Sequence, residues 1–223
     1  MDTGTDAAAL VPPPALGVER LLLVGTGSVA VADLPFWVGW LRMAYPGLCV
    51  RVVLTRSAER FVTRQSLAGR SGGEALLDHW PDEPGPRARH VELSTWPQAV
   101  IVYPATFGFV ARLALGLGDS PALLAAQCTD ALIGIAPAPP PGGERNPVYQ
   151  AHLVSLRERP QVVVGPPVPA RSQTTGELHA WSPLPLPELL ASMEERRKLV
   201  ARGGGPKPQS AEPDGNSGPA RWS

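Results

Sequence analysis

The chain has 223 residues, 43% of them hydrophobic, enough for one sizeable core and too few for two ordinary domains with long tails. Its 20 basic and 20 acidic residues cancel, so net charge gives no footprint for nucleic acid or an anionic membrane surface. Only Cys49 and Cys128 are present, which excludes a disulfide framework and a clustered zinc site and fits a reduced cytoplasm; acidic Asp2 and Asp6 and the lack of a long apolar run exclude a secretion signal and a membrane span.

In chain order, residues 1–16 hold Pro12, Pro13 and Pro14 and too little apolar surface to repay ordering entropy, so a disordered tail is expected. Short apolar runs then alternate with longer amphipathic ones. Strands are predicted over Arg20–Gly25, Cys49–Leu54, 99–103, 131–136 and 161–164, and helices over 29–44, 57–64, 107–117, 120–127, 147–159 and 186–201. Pro147 suits a first helical turn with Asn146 before it, and Glu188 and Arg196, Arg197, Lys198 and Arg202 match the dipole of the last helix. The alternation predicts an α/β fold, and the continuous apolar strands predict a mainly parallel sheet buried on both faces. Residues 201–223 are expected as a second disordered tail, which leaves 17–200 as one domain.

In such a sheet a ligand sits beyond the carboxyl ends of the strands, so the residues just after each strand matter most. After the first stands Gly25-Thr26-Gly27-Ser28-Val29-Ala30, where Gly27, Ser28 and Ala30 would let backbone amides approach an anion. The same residues fit a tight strand-to-helix turn, and the third glycine of a dinucleotide fingerprint and the lysine of a P-loop are absent. Thr55 and Ser57 offer hydroxyls after the second strand, or a simple helix cap. After the next strong strand comes Pro104-Ala105-Thr106-Phe107-Gly108, leading into a helix that ends Ala114-Leu115-Gly116.

These segments, with Arg89-His90-Val91-Glu92-Leu93 upstream, resemble the homo-oligomeric flavin-containing cysteine decarboxylases. That family has a Pro-Ala-Thr/Ser segment, a helix ending Ala-x-Gly, and a His-Ile/Val-x-Leu segment before the flavin-binding strand. The resemblance runs from about Arg20 to Gly176. It implies a Rossmann-like (flavodoxin-like) three-layer α/β/α fold and a bound FMN, or FAD, held by Gly27, Ser28, Ala30, Thr55, Ser57, Pro104, Ala105, Thr106 and Gly108. It also implies a homotrimer, often a dodecamer, with the flavin between subunits, and His90 as catalytic base. Without the resemblance His90 reads as an ordinary loop histidine.

Two departures bear on the branch. The family's Pro-x-Met-Asn-x-x-Met, whose asparagine holds the substrate carboxylate, is replaced by Pro137-Ala138-Pro139-Pro140-Pro141. Arg145, Asn146 or backbone amides are the substitute clamp, while a structural cap fits Asn146 equally well. Thr175 stands where coenzyme A enzymes carry the cysteine that completes a reduction. A chain that cannot finish the reduction stops at the oxidised stage, as in the lantibiotic branch, where the C-terminal cysteine of a lanthipeptide precursor becomes an enethiol destined for aminovinyl-cysteine. Alternatives are a catalytically silent flavoprotein subunit, a phosphopantothenoylcysteine decarboxylase and a flavin prenyltransferase. Trp37 and Trp40 read as a core or contact stripe, and His79, His152 and His179 show no metal pattern.

Overall fold

The computed structural model describes residues 12–82, 88–172, 176, 178 and 180–202. Thr175 and His179 lie outside the described residues. So do most of the expected tails, yet within them Leu16 packs on the core and the Tyr45 hydroxyl donates to the Pro14 carbonyl at 2.7 Å.

Six strands, β1 (Arg20–Gly25), β2 (Cys49–Leu54), β3 (Ala75–Leu77), β4 (Ala99–Ala105), β5 (Leu132–Pro137) and β6 (Val162–Val164), form one sheet in the order β3-β2-β1-β4-β5-β6. All five pairings are parallel. Helices are α1 (Leu34–Ala44), α2 (Arg64–Ser71), α3 (Arg89–Thr95), α4 (Phe107–Ala114), α5 (Pro121–Cys128), α6 (Pro147–Arg157) and α7 (Leu186–Arg202). Strand residues alternate between faces. Leu21, Leu23, Ile101 and Tyr103 join α1, α2 and α7 in one core layer, whereas Leu22, Val24, Val100 and Val102 join α3, α4, α5 and α6 in the other. The result is the three-layer Rossmann-like fold, with the order of strands reversing between β1 and β4.

Several expected elements are corrected. The helix predicted over 57–64 is only a 3-10 turn, Ala58–Arg60; α2 starts at Arg64, where the Thr63 hydroxyl accepts from Ser66 N at 3.2 Å. The helix predicted over 29–44 divides into a 3-10 turn, Val29–Asp33, and α1, with proline in the first turn of α1. The helix predicted over 107–117 stops at Ala114, because Gly116 turns with φ +76°. His90 is not in a loop but in the first turn of α3. A small antiparallel hairpin, β7 (Val168–Ala170) with β8 (Ala180–Ser182), had no counterpart in the predicted elements.

Candidate functional site

The carboxyl ends of β1 and β4 are held together by one side chain. Thr26, 1% exposed, donates its hydroxyl to the Pro104 carbonyl at 2.6 Å and accepts the Thr106 amide at 2.9 Å. Its Oγ1 also lies 3.2 Å from Thr106 Oγ1. Pro104 and Ala105 are buried behind this clasp as its frame. On the β2 side, a Cβ placed on Gly27 would stand 2.4 Å from Ser57 Oγ, so only glycine lets the two loops pass each other.

A cleft of about 710 Å³ opens in front of the clasp, with Gly27, Ser28 and Ala30 on one lip and Thr106 and Gly108 on the other. Pro139, Pro140 and Pro141 and the hairpin residue Trp181 form its far wall. Two N-cap hydroxyls face this cleft, Ser28 before the 3-10 turn and Thr106 before α4, and neither makes a side-chain cap bond. Elsewhere the hydroxyl or amide N-caps with extended backbone do cap their helices: Thr63 for α2, Ser120 for α5 and Asn146 for α6. The first-turn amides at the cleft are therefore not consumed by their own caps, which suits a ligand rich in acceptors or negative charge.

Thr55 and Ser57, 3.2 Å apart through their hydroxyls, face an adjoining cleft of about 580 Å³ with Arg56, Arg60, Arg112 and Asp78. Asp78 accepts from Ser120 Oγ at 2.7 Å and from Ala122 N at 2.8 Å. Burial pushes its carboxyl above the usual range, partly offset by those two donors and by Arg112. The Gly27–Ser57 contact is the seam between the two clefts.

His90 lines neither cleft. It is half-buried, its Nδ1 is enclosed with no hydrogen-bond partner among the described residues, and its ring meets Trp80 at 5.6 Å and 66°. Trp80 in turn donates Nε1 to the Asp119 carbonyl at 3.2 Å. Arg145 lies in a third pocket, of about 490 Å³, with its Nε 3.3 Å from Glu144 Oε1. Asn146 caps α6 by accepting from Tyr149 N at 3.0 Å, so its carbonyl oxygen is already engaged. Thus Gly27, Ser28, Ala30, Thr106 and Gly108 come together, Thr55 and Ser57 adjoin them, and His90, Arg145 and Asn146 stand apart within one chain. The clasp by Thr26 and the capping by Asp78 were not anticipated; Thr26 showed only as a spacer between two glycines.

Comparison with known proteins places this geometry. The family model described as Flavoprotein matches residues 13–184. The cypemycin cysteine dehydrogenase (decarboxylating) of Streptomyces sp is 35% identical over 176 residues, 78% of this chain and 89% of that relative. Among solved structures, the cypemycin decarboxylase CypD superposes with a TM-score of 0.68 at 31% identity, covering 84% of this chain and 98% of that one. The FMN-dependent cysteine decarboxylase TvaF from thioviridamide biosynthesis superposes with a TM-score of 0.59 at 30% identity, covering 66% of this chain and 88% of that one. This chain therefore belongs to the Flavoprotein family, among its flavin-containing cysteine decarboxylases.

Proposed function

We propose that this protein carries out the flavin-dependent oxidative decarboxylation of the C-terminal cysteine of a ribosomal peptide, a lanthipeptide precursor, leaving an enethiol for aminovinyl-cysteine formation. The observation that carries the proposal is the 35% identity to the cypemycin enzyme over 78% of the chain, on a fold whose switch point opens into a cleft of suitable size. The residues present fit a flavin: two helix starts left uncapped, a glycine seam and small residues on both lips. Gly27, Ser28, Ala30, Thr106 and Gly108 would hold it, with Thr55 and Ser57 across the seam and Pro104 and Ala105 as the frame. FMN is the form assigned, as in TvaF.

When bound, the flavin supplies a two-electron acceptor for the hydride leaving the cysteine β-carbon. His90 takes the thiol proton at Nε2, since Nδ1 is enclosed, and an imidazole is the side chain most often used as a general base. Arg145 and the free amide of Asn146 hold the carboxylate, which needs little more help, because the oxidised side chain carries C=S β to it and accepts the electrons as carbon dioxide leaves. Thr175 offers no thiol to reduce the product, so turnover stops at the enethiol, and the reaction would require an external two-electron acceptor such as molecular oxygen.

His90 lines neither of the two clefts, which supports a homotrimer, assembled further into a dodecamer, in which His90 serves a neighbour's flavin. Among the described residues no helix is long and apolar enough to cross a membrane, and the free thiols Cys49 and Cys128 support a cytoplasmic setting. The test is to incubate the purified yellow protein with peptides ending in cysteine and follow their mass. Loss of carbon dioxide plus two hydrogens is expected. Turnover of phosphopantothenoylcysteine instead would move the protein to the coenzyme A branch, and no turnover of any thiol would make it a silent subunit.

A further inference from the structure

We propose that Thr26 is a positioning residue that keeps α4 uncapped, so that its first amides remain free for the flavin; this rests on the flavin-binding reading of the cleft. Thr106 has the extended backbone of a normal N-cap, φ −69° and ψ 157°. Asn146, with φ −66° and ψ 121°, uses that geometry to accept from the third amide of its helix, as Ser120 does for α5. Thr106 has the same chemistry and does not.

The difference is its neighbour. Thr26 Oγ1 donates its one proton to the Pro104 carbonyl, accepts the Thr106 backbone amide, and sits 3.2 Å from Thr106 Oγ1, where its second lone pair accepts the Thr106 hydroxyl proton. A hydroxyl has one proton and two lone pairs, and here all are engaged on one turn of β4. The Thr106 hydroxyl is thereby turned back towards β1, away from the amides it would otherwise cap. At 1% exposure Thr26 has no water to compete for these bonds. The cost of an uncapped helix start is borne at the cleft that needs it, and two polar loops 78 residues apart in sequence are set as one lip.

Titration of FMN into the full-length apoprotein, followed by quenching of flavin fluorescence, tests this without reference to turnover. Thr26→Val keeps the shape of the side chain, removes its hydroxyl and frees Thr106 to cap α4. The FMN Kd should rise on the order of ten-fold, the effect of one or two hydrogen bonds. Thr26→Ser, which keeps the hydroxyl, should stay within a few-fold of wild type. The deciding variant is the double one: with the competing cap deleted, Thr26→Val/Thr106→Ala should bind FMN more tightly than Thr26→Val alone. Circular dichroism checks that each apoprotein is folded at the temperature of titration. Unchanged affinity in Thr26→Val overturns the proposal, and so does a double variant in which the two losses simply add. If wild-type protein does not bind FMN, the flavin reading itself fails instead.

Discussion

The helix starts at the β1/β4 switch point and those around β3 and α5 are built from the same residue types and treated in opposite ways. At the switch point neither Ser28 nor Thr106 makes a side-chain cap bond to the helix turn that follows it. Beside β3, Asp78 and Ser120 make theirs: Ser120 accepts from Leu123 N and donates to Asp78, which also accepts from Ala122 N. The first region leaves its side-chain caps unmade, and the second closes them. The aligned fold alone does not make this distinction; the direction of single hydroxyls does.

The largest effect that probes this division comes from His90, which belongs structurally to the closed region. His90→Asn should lower turnover by about 10² to 10⁴-fold, the usual worth of a general base, while the protein keeps its flavin absorbance. Loss of flavin in that variant would mean that the two regions are not separable. Next, Asp78→Ala strands the Ser120 hydroxyl and the Ala122 amide, and should cost about 1 to 3 kcal/mol in urea unfolding. Its FMN Kd should change less than that of Thr26→Val; the reverse order would contradict the assignment of roles.

The smallest effect lies at the opposite end of the strands, beside their amino-terminal starts. Glu194, 6% exposed, accepts from Arg197 at 2.6 and 2.8 Å and from Gly17 N at 3.2 Å, and the Arg197 bonds hold its carboxyl below the ordinary 4.5. A lowered folded value means stability present above the unfolded value and lost as pH falls through the lowered one. Glu194→Gln should therefore lower Tm at neutral pH, by the equivalent of about 1 kcal/mol because Arg197 is partly exposed. That gap should close as pH drops below the ordinary glutamate value. A gap that persists in acid would remove the ion pair from the account.

How far the amino-acid sequence could be read depended on whether a residue's partners are local. β1 was legible end to end because continuous burial leaves an unbroken apolar run bounded by Arg20 and Gly25, and β2 because Val50, Val52, Val53 and Leu54 are buried around a single exposed Arg51. α2 was not, since Arg64–Ser71 buries only Leu67 and carries no apolar stripe. β3 has three residues and is recognisable only by its pairing with β2. The capping role of Asn146 was legible because the cap and its proline are adjacent. At the site, small residues after β1 and β4 announced a cleft, and Gly27 and Thr106 do line it. The grip of Thr26 on Pro104 spans 78 residues and that of Asp78 on Ala122 spans 44, distances at which residue type carries no trace of the partner. The place of His90 on a helix was hidden because α3 has only seven residues, with Leu93 alone fully buried.

An anaerobic single turnover tests the central claim most directly. The yellow protein is mixed with a slight excess of a peptide ending in cysteine, and flavin absorbance and peptide mass are followed together. The account predicts bleaching of the oxidised flavin, with one decarboxylated, oxidised peptide formed for each flavin reduced and recovery of colour on admitting oxygen. Decarboxylation without bleaching, or a flavin that stays oxidised with every such peptide, would contradict it.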